Sequence, residues 1–161
     1  MNPEAQELAR RFGEANDEVT AFVEACDEAQ WQTPVPGERW PVGVVLHHVA
    51  VGHLLVRDWL ESARQGRPID VKAAEIDADN ARHAVEFAAV SRPETLEELR
   101  RNGAALAAVL AGLSAEELAA TVAFGPADGR IMTTAQLAPA TVNHCTSHLA
   151  AVRRALQAES G

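Results

Sequence analysis

Apolar residues recur at intervals of three and four along most of the chain, which is the period of an amphipathic helix. The first such stripe follows Asn2 and Pro3, a capping residue and a residue suited to a first helical turn, and is expected to end near Trp31. The stretch QTPVPGERW comes next and carries two prolines and a glycine, so it is predicted to be a loop. The apolar stripe of this first helix consists of Leu8, Phe12, Ala15, Val19, Phe22, Val23 and Cys26.

A second helix is predicted from about Pro41 towards Arg64, where the sequence QGRP ends it. Between Val42 and Val56 this helix is apolar nearly all round. Such a helix is covered on several sides, either at the centre of a bundle or at a contact between subunits. The second possibility is the basis for predicting a homodimer.

The connection from Gln65 to about Ile76 is long for a hairpin of two antiparallel helices. The next helix is therefore expected to run parallel to the second one after a crossover. The stretches DADNARHAVEFAAV and SRPETLEELRRNGAALAAVLAGL predict one interrupted helix, because Ser91 and Glu94 have the spacing of a capping box at the break.

The stretch TVAFGPADGRIMTT differs from the rest because short β-prone runs flank an Asp128-Gly129 turn. It predicts a small hairpin or an ordered loop before the last helix. Thr133 or Thr134 should cap that helix, which extends to about Ala158 and is expected to bend near Pro139. The pattern leaves four long helices and predicts an all-α fold.

Composition narrows the classes of function that remain. A chain of 161 residues fits a single domain, predicted to span residues 1–161. The formal net charge of −9 argues against a nucleic-acid partner, which would require a cationic surface. No targeting segment or membrane-spanning apolar run is recognised, so a soluble, cytoplasmic protein without a membrane partner is expected. Cys26 and Cys145 are too few and too distant for a disulfide framework.

The candidate chemistry lies in NHCTSHLAAVRR, where His144 and His148 stand four residues apart on one side of the last helix. This is the spacing of metal ligands, but it also arises by chance, so a third ligand is needed. Among His47, His48 and His53, the best third ligand is His48, because Gly52 one turn later leaves room beside it. The alternative is that the paired histidines hydrogen-bond backbone or solvent, and the same role is expected for His47, His53 and His83. Cys145 lies at the centre of the apolar stripe and is expected to pack in the core.

The stretch RWPVGVVLHHVAVGH has a Trp followed eight residues later by a His, a hydrophobic residue and Ala, and it resembles a signature of the DinB/YfiT-like superfamily. HCTSH is similar to that superfamily's second metal motif. The stretch DADNARHAVEFAAVSRPETLEELR is similar to its third-helix region, so the resemblance covers most of the chain.

This resemblance implies a four-helix bundle with up-down-down-up topology, in agreement with the crossover after the second helix. It also implies that His48, His144 and His148 bind a divalent metal ion, commonly zinc or nickel. Members related to mycothiol-dependent maleylpyruvate isomerase and to bacillithiol transferases move small electrophiles onto low-molecular-weight thiols. That isomerase has a Glu where this sequence has His144, and it carries a further carboxy-terminal domain that this chain is expected to lack.

Three neutral imidazoles leave an open position on a divalent ion, as in catalytic sites, and a thiol bound there would lose its proton. The leading hypothesis is therefore a thiol S-transferase that acts on a small molecule with a mycothiol-like cosubstrate. A metal-dependent hydrolase needs the same ligands but is less favoured, because no Glu is recognised as a base beside His144 or His148. A bundle that binds metal or a small ligand without catalysis is the third hypothesis. No acid or base is assigned. Trp40, Trp59 and Asn80 are expected in helix packing and capping, with a position near the site as the alternative.

Overall fold

Four long helices form a bundle in the computed structural model, which describes residues 2–159. The prediction of an all-α four-helix bundle with a small hairpin before the last helix is confirmed. Among the described residues, no helix is long and apolar enough to cross a membrane. The helices are α1 (Pro3–Ala25), α2 (Glu28–Gln32), α3 (Val42–Arg64), α4 (Ala73–Glu86), α5 (Arg92–Gly112), α6 (Ala115–Ala119), α7 (Thr134–Leu137) and α8 (Ala140–Glu159). The strands are β1 (Pro34–Val35), β2 (Trp40–Pro41), β3 (Thr121–Phe124) and β4 (Arg130–Thr133).

Helix α3 lies at the centre of the bundle and packs against α5 and α8, while α1 packs against the same two helices. The short helices α2, α6 and α7 cover further parts of α3. This explains why α3 is apolar nearly all round, since one chain buries it on several sides. The homodimer stays a prediction, but the apolar character of α3 no longer supports it. The buried residues of α3 include Val42, Val45, Leu46, Val49, Ala50 and Leu60.

The first helix begins as predicted and ends earlier than predicted. Asn2 caps α1, and its side chain accepts a hydrogen bond of 2.8 Å from the backbone N–H of Glu4. The extension to Trp31 is wrong, because Asp27 starts a new helix. The Asp27 carboxylate accepts the backbone N–H of Gln30, and the Gln30 side chain accepts the backbone N–H of Asp27 in return. This reciprocal capping box separates α2 from α1.

A short hairpin leads into α3, where the sequence predicted only a loop. Strands β1 and β2 pair antiparallel, with Val35 opposite Trp40. The turn between them places Arg39 in the left-handed region, at φ 64°. The hairpin holds Glu38 and Trp40 directly before the start of α3, and both side chains take part in the site described below.

The interruption between α4 and α5 follows the predicted capping box. The backbone N–H of Ser91 donates to Glu94 Oε2 at 3.0 Å, and the backbone N–H of Glu94 donates to Ser91 Oγ at 3.4 Å. The indole Nε1–H of Trp31 donates to the carbonyl of Val90 at 2.9 Å, which ties the break to α2. No residue of α4 is buried, and this helix covers one side of α3 with a row of partly exposed side chains.

Strands β3 and β4 form the hairpin before the last helix. Asp128 and Gly129 at its turn have φ of 55° and 75°, as the Asp-Gly sequence predicts. Thr133 caps α7 through a hydrogen bond from the backbone N–H of Gln136. Ala138 and Pro139 interrupt the predicted helix and divide it into α7 and α8, although Ala138 keeps an α-helical conformation.

Candidate metal centre

The packing of α3 against α8 brings together the three histidines predicted from the sequence. One ring nitrogen each of His48, His144 and His148 lies within 4.8 Å of the others. The Nε2 atoms of His48 and His144 are 3.0 Å apart. Because α8 places His144 and His148 one turn apart on its side facing α3, both rings meet His48 edge to face. The role of these residues as metal ligands stays a prediction, and their convergence is an observation.

Burial keeps two of these imidazoles neutral. Burial, together with the like charge of the neighbouring His148, His83 and His47, lowers the pKa of His48 to about 3. Burial also lowers the pKa of His144 well below its ordinary value, again with a contribution from the adjacent histidines. A neutral imidazole has one nitrogen with a free lone pair, which is the form that binds a metal ion.

A carboxylate fixes the third imidazole. Glu38 Oε1 lies 2.9 Å from Nδ1 of His148, and because a carboxylate accepts hydrogen bonds, Nδ1 carries the proton. This tautomer leaves Nε2 of His148 with its lone pair. The expectation that no Glu lies beside His144 or His148 is wrong. Glu38 stands 110 residues before His148, and no local pattern in the sequence connects the two.

A glycine of α3 makes room for His144. A Cβ atom at Gly52 would lie 2.5 Å from Cε1 of His144, closer than side chains tolerate. The sequence suggested that Gly52 gives space to His48, and the structure shows that it also accommodates the ring from α8. The Nδ1 atom of His144 is buried and has no hydrogen-bond partner among the described residues. An unpaired buried nitrogen costs free energy, so the histidine cluster is not completed by the protein atoms described.

A cavity of about 310 Å³ opens onto the histidines. Trp40 packs edge to face with His48, at a distance of 5.4 Å between ring centroids. Trp59 and Asn80 also line the cavity, so all three residues lie near the site, the alternative that the sequence left beside packing and capping. Their positions depend on how the hairpin and α4 pack against α3. The remaining lining residues include Glu38, Leu55, Val56, Ile76 and Ala140.

The other histidines have protein partners outside the cluster. Nδ1 of His47 lies 3.3 Å from Nε2 of His83, and the two rings stack. Nε2 of His53 lies 2.8 Å from Oδ1 of Asn16 in the core. Both pairs involve side chains, whereas the sequence suggested backbone or solvent as partners. His83 also has a backbone partner of the predicted kind, a hydrogen bond to Val44. Cys145 is fully buried, and burial raises the pKa of its thiol to about 12, so it packs as a protonated core residue.

The fold and the cluster define a four-helix bundle with a candidate metal centre between its second and fourth long helices. The model of the DinB superfamily matches residues 11–152, and the chain belongs to this superfamily. YfiT from Bacillus subtilis, described as a probable metal-dependent hydrolase with an unusual four-helix bundle topology, has a similar structure. The TM-score is 0.78 at 18% sequence identity, over 99% of this chain and 90% of YfiT, a likeness that shows the fold. No curated protein sequence matches the chain.

Proposed function

We propose that this protein is a divalent-metal-dependent enzyme whose ion is held by His48, His144 and His148. The observation that carries the proposal is the convergence of three histidine nitrogens within 4.8 Å at a cavity. The donor set suits a divalent ion such as zinc or nickel, because imidazole is a preferred ligand of both. The low pKa values of His48 and His144 mean that few protons compete with the ion near neutral pH.

Within this class, the proposed reaction is thiol S-transfer to a small electrophile. When bound, a divalent ion supplies positive charge that favours the thiolate over the thiol. In the reaction the thiol loses its proton to solvent and an S–C bond forms. A carbon–halogen bond breaks and releases halide, or an epoxide opens and takes up a proton. No protein base is required in this scheme, which agrees with a site whose nearest carboxylate, Glu38, is engaged with His148.

The protein residues have three tasks in this proposal. The histidines supply a neutral set of donors, so that they do not cancel the charge of the ion. Glu38 holds the tautomer and the orientation of His148. Trp40 and Trp59 form apolar walls against which the electrophile packs. The proposed cosubstrate is a mycothiol-like thiol, by analogy with members of the superfamily that act on such thiols.

A metal-dependent hydrolase is the second candidate, and one specific observation favours it. Glu38 lines the cavity and is 23% exposed, so its carboxylate can also reach water. The description of YfiT as a probable metal-dependent hydrolase supports the same possibility for a protein of this fold. The hydrogen bond from His148 to Glu38 indicates that Glu38 positions His148 and does not serve as a base that takes a proton from water. Binding of metal or a small ligand without catalysis is the remaining alternative.

The test compares two reactions of the same metal-loaded protein. One assay follows conjugation of mycothiol, or of N-acetylcysteine amide, to the alkyl bromide monobromobimane, and the other follows hydrolysis of a nitrophenyl ester without thiol. We expect thiol-dependent turnover that disappears after metal removal and in His48→Gln. Ester hydrolysis that is lost in Glu38→Gln, while the metal is retained, would favour the hydrolase. Stoichiometric metal with neither reaction would favour a binding protein.

A further inference from the structure

We infer that the cavity selects an uncharged, largely apolar substrate body with a hydrogen-bonding group, and that it disfavours substrates or thiols carrying an additional carboxylate. This inference rests on the proposed function, because it names the class of molecule that reaches the histidine cluster. It separates neutral thiols from acidic ones, a distinction that membership in the superfamily leaves open.

The composition of the cavity wall is the first observation. Of the residues that line the cavity in the described part of the chain, none is Lys or Arg. The one carboxylate among them is Glu38, which adds negative charge at the histidines. An anionic group placed against this wall would lose hydration without gaining a cationic partner, which is costly in an apolar site. The apolar side chains of the wall are Trp40, Leu55, Val56, Trp59, Ile76 and Ala140.

The second observation concerns two arginines on the helices that form the wall. Arg57 of α3 donates to Asp58, with Nη2 2.7 Å from Oδ1. Arg82 of α4 forms an ion pair with Asp79. Both guanidinium groups already have carboxylate partners. Neither arginine is among the residues that line the cavity, so neither supplies a cation to a carboxylate bound there.

The third observation is a neutral polar group in the wall. The side-chain amide of Asn80 lines the cavity and makes no hydrogen bond within the described part of the chain. An amide both donates and accepts, so it matches a hydroxyl or amide group of an uncharged substrate. The divalent ion proposed at the histidines is the one positive charge of the site, and the reacting thiolate already pairs with it. A second anion on the same ligand then finds no further cation in the wall.

The experiment measures binding to the metal-loaded protein by isothermal titration calorimetry, with two matched pairs of probes. N-acetylcysteine amide and N-acetylcysteine differ in one carboxylate, and both offer a thiol. Benzohydroxamic acid and its para-carboxy derivative differ in the same way, and both bind metals through the hydroxamate. In each pair, we expect the dissociation constant of the probe without the extra carboxylate to be lower by a factor of about ten or more.

Two variants with the same change in charge test the electrostatic cause. Leu55→Arg introduces a cation at a lining position that is 40% exposed, and it should raise the affinity for the carboxylate probes. Gln65→Arg adds the same charge at the exposed end of α3, outside the cavity, and should leave the preference unchanged. An unchanged preference in Leu55→Arg, or an equal shift in both variants, contradicts the inference.

The wild-type protein gives the remaining outcomes. Equal or tighter binding of the carboxylate probes overturns the inference, and so does a failure of both pairs to bind. Selection between the hydroxamates without binding of either thiol supports the uncharged cavity and contradicts the proposed thiol chemistry. The failure of the inference and the failure of the proposed function are therefore distinguishable.

Discussion

Nδ1 of His148 lies 2.9 Å from Oε1 of Glu38, although 110 residues separate the two in the chain. Glu38 belongs to the turn of the β1–β2 hairpin, and His148 belongs to α8. A carboxylate bonded to the second nitrogen of a histidine commonly orients a metal-ligating ring. The contact therefore makes Glu38 a positioning residue for the proposed metal centre. It also links the β1–β2 hairpin, which precedes α3, to the last helix.

Removing this carboxylate should weaken metal binding. We expect Glu38→Ala to lower the affinity for zinc by about 10- to 100-fold, because His148 loses the acceptor that fixes its tautomer. Glu38→Gln keeps an acceptor oxygen and should lower the affinity less. Competition with a zinc-binding dye measures both. As a control, Glu18→Ala removes an exposed glutamate that also pairs with a residue of α8, Arg153, and should keep the wild-type affinity. Equal affinities in wild type and Glu38→Ala contradict the positioning role.

The three histidines should be required together for metal retention. After reconstitution with zinc or nickel, we expect about one ion per chain in the wild type and almost none in His48→Gln, His144→Gln or His148→Gln. His83→Gln removes a histidine whose nitrogen bonds His47 outside the cluster, and should retain the ion. Elemental analysis gives the metal content and circular dichroism checks the helical fold. A wild type that holds no ion after reconstitution contradicts the proposed centre.

Gly52→Ala should disturb the cluster without changing a ligand. The added Cβ would lie 2.5 Å from Cε1 of His144, so the imidazole must leave its present position. We expect lower metal affinity at nearly unchanged helical content, measured by dye competition and circular dichroism. The matched control is Gly13→Ala in α1, where a Cβ meets no atom within 4 Å. That variant should keep the metal and gain about 0.5–1 kcal/mol in the free energy of unfolding. Unchanged metal affinity in Gly52→Ala would show that His144 has room to shift.

His53 should make the free energy of unfolding depend on pH. Burial lowers the pKa of His53 from 6.5 to about 4. Between these two pH values His53 is protonated in the unfolded chain and neutral in the folded protein. The stabilising effect is complete above about pH 6.5 and is lost as the pH falls towards about 4, where the loss reaches about 3 kcal/mol. Denaturant unfolding of chelator-treated protein between about pH 8 and pH 4 measures it.

The control for this pH dependence is His53→Gln, which keeps a donor for Asn16 and removes the titrating group. Its free energy of unfolding should fall less than that of the wild type as the pH decreases. The remaining dependence should come from other buried histidines such as His48 and His144. Parallel pH profiles of wild type and His53→Gln would contradict the assignment to His53.

The sequence alone determined the helices and the faces of their side chains. The capping residues Asn2 and Ser91 and the Asp128-Gly129 turn act within a few residues, so the elements they begin or connect could be predicted. Helical periodicity also set His144 and His148 on one face. It failed at Asp27, where a capping box formed by Asp27 and Gln30 begins a new helix and α1 ends earlier than the apolar pattern indicated.

Only the tertiary structure decided what surrounds the histidines. Glu38 reaches His148 because the β1–β2 hairpin packs against α8, and no periodic pattern encodes a contact across 110 residues. Trp40 and Asn80 face the cavity because separate elements pack on either side of α3. Local hydrogen bonds and periodicity fix the direction of a side chain on its own helix. Which side chains from distant segments meet there depends on the packing of the whole bundle, and this packing is a non-local property of the chain.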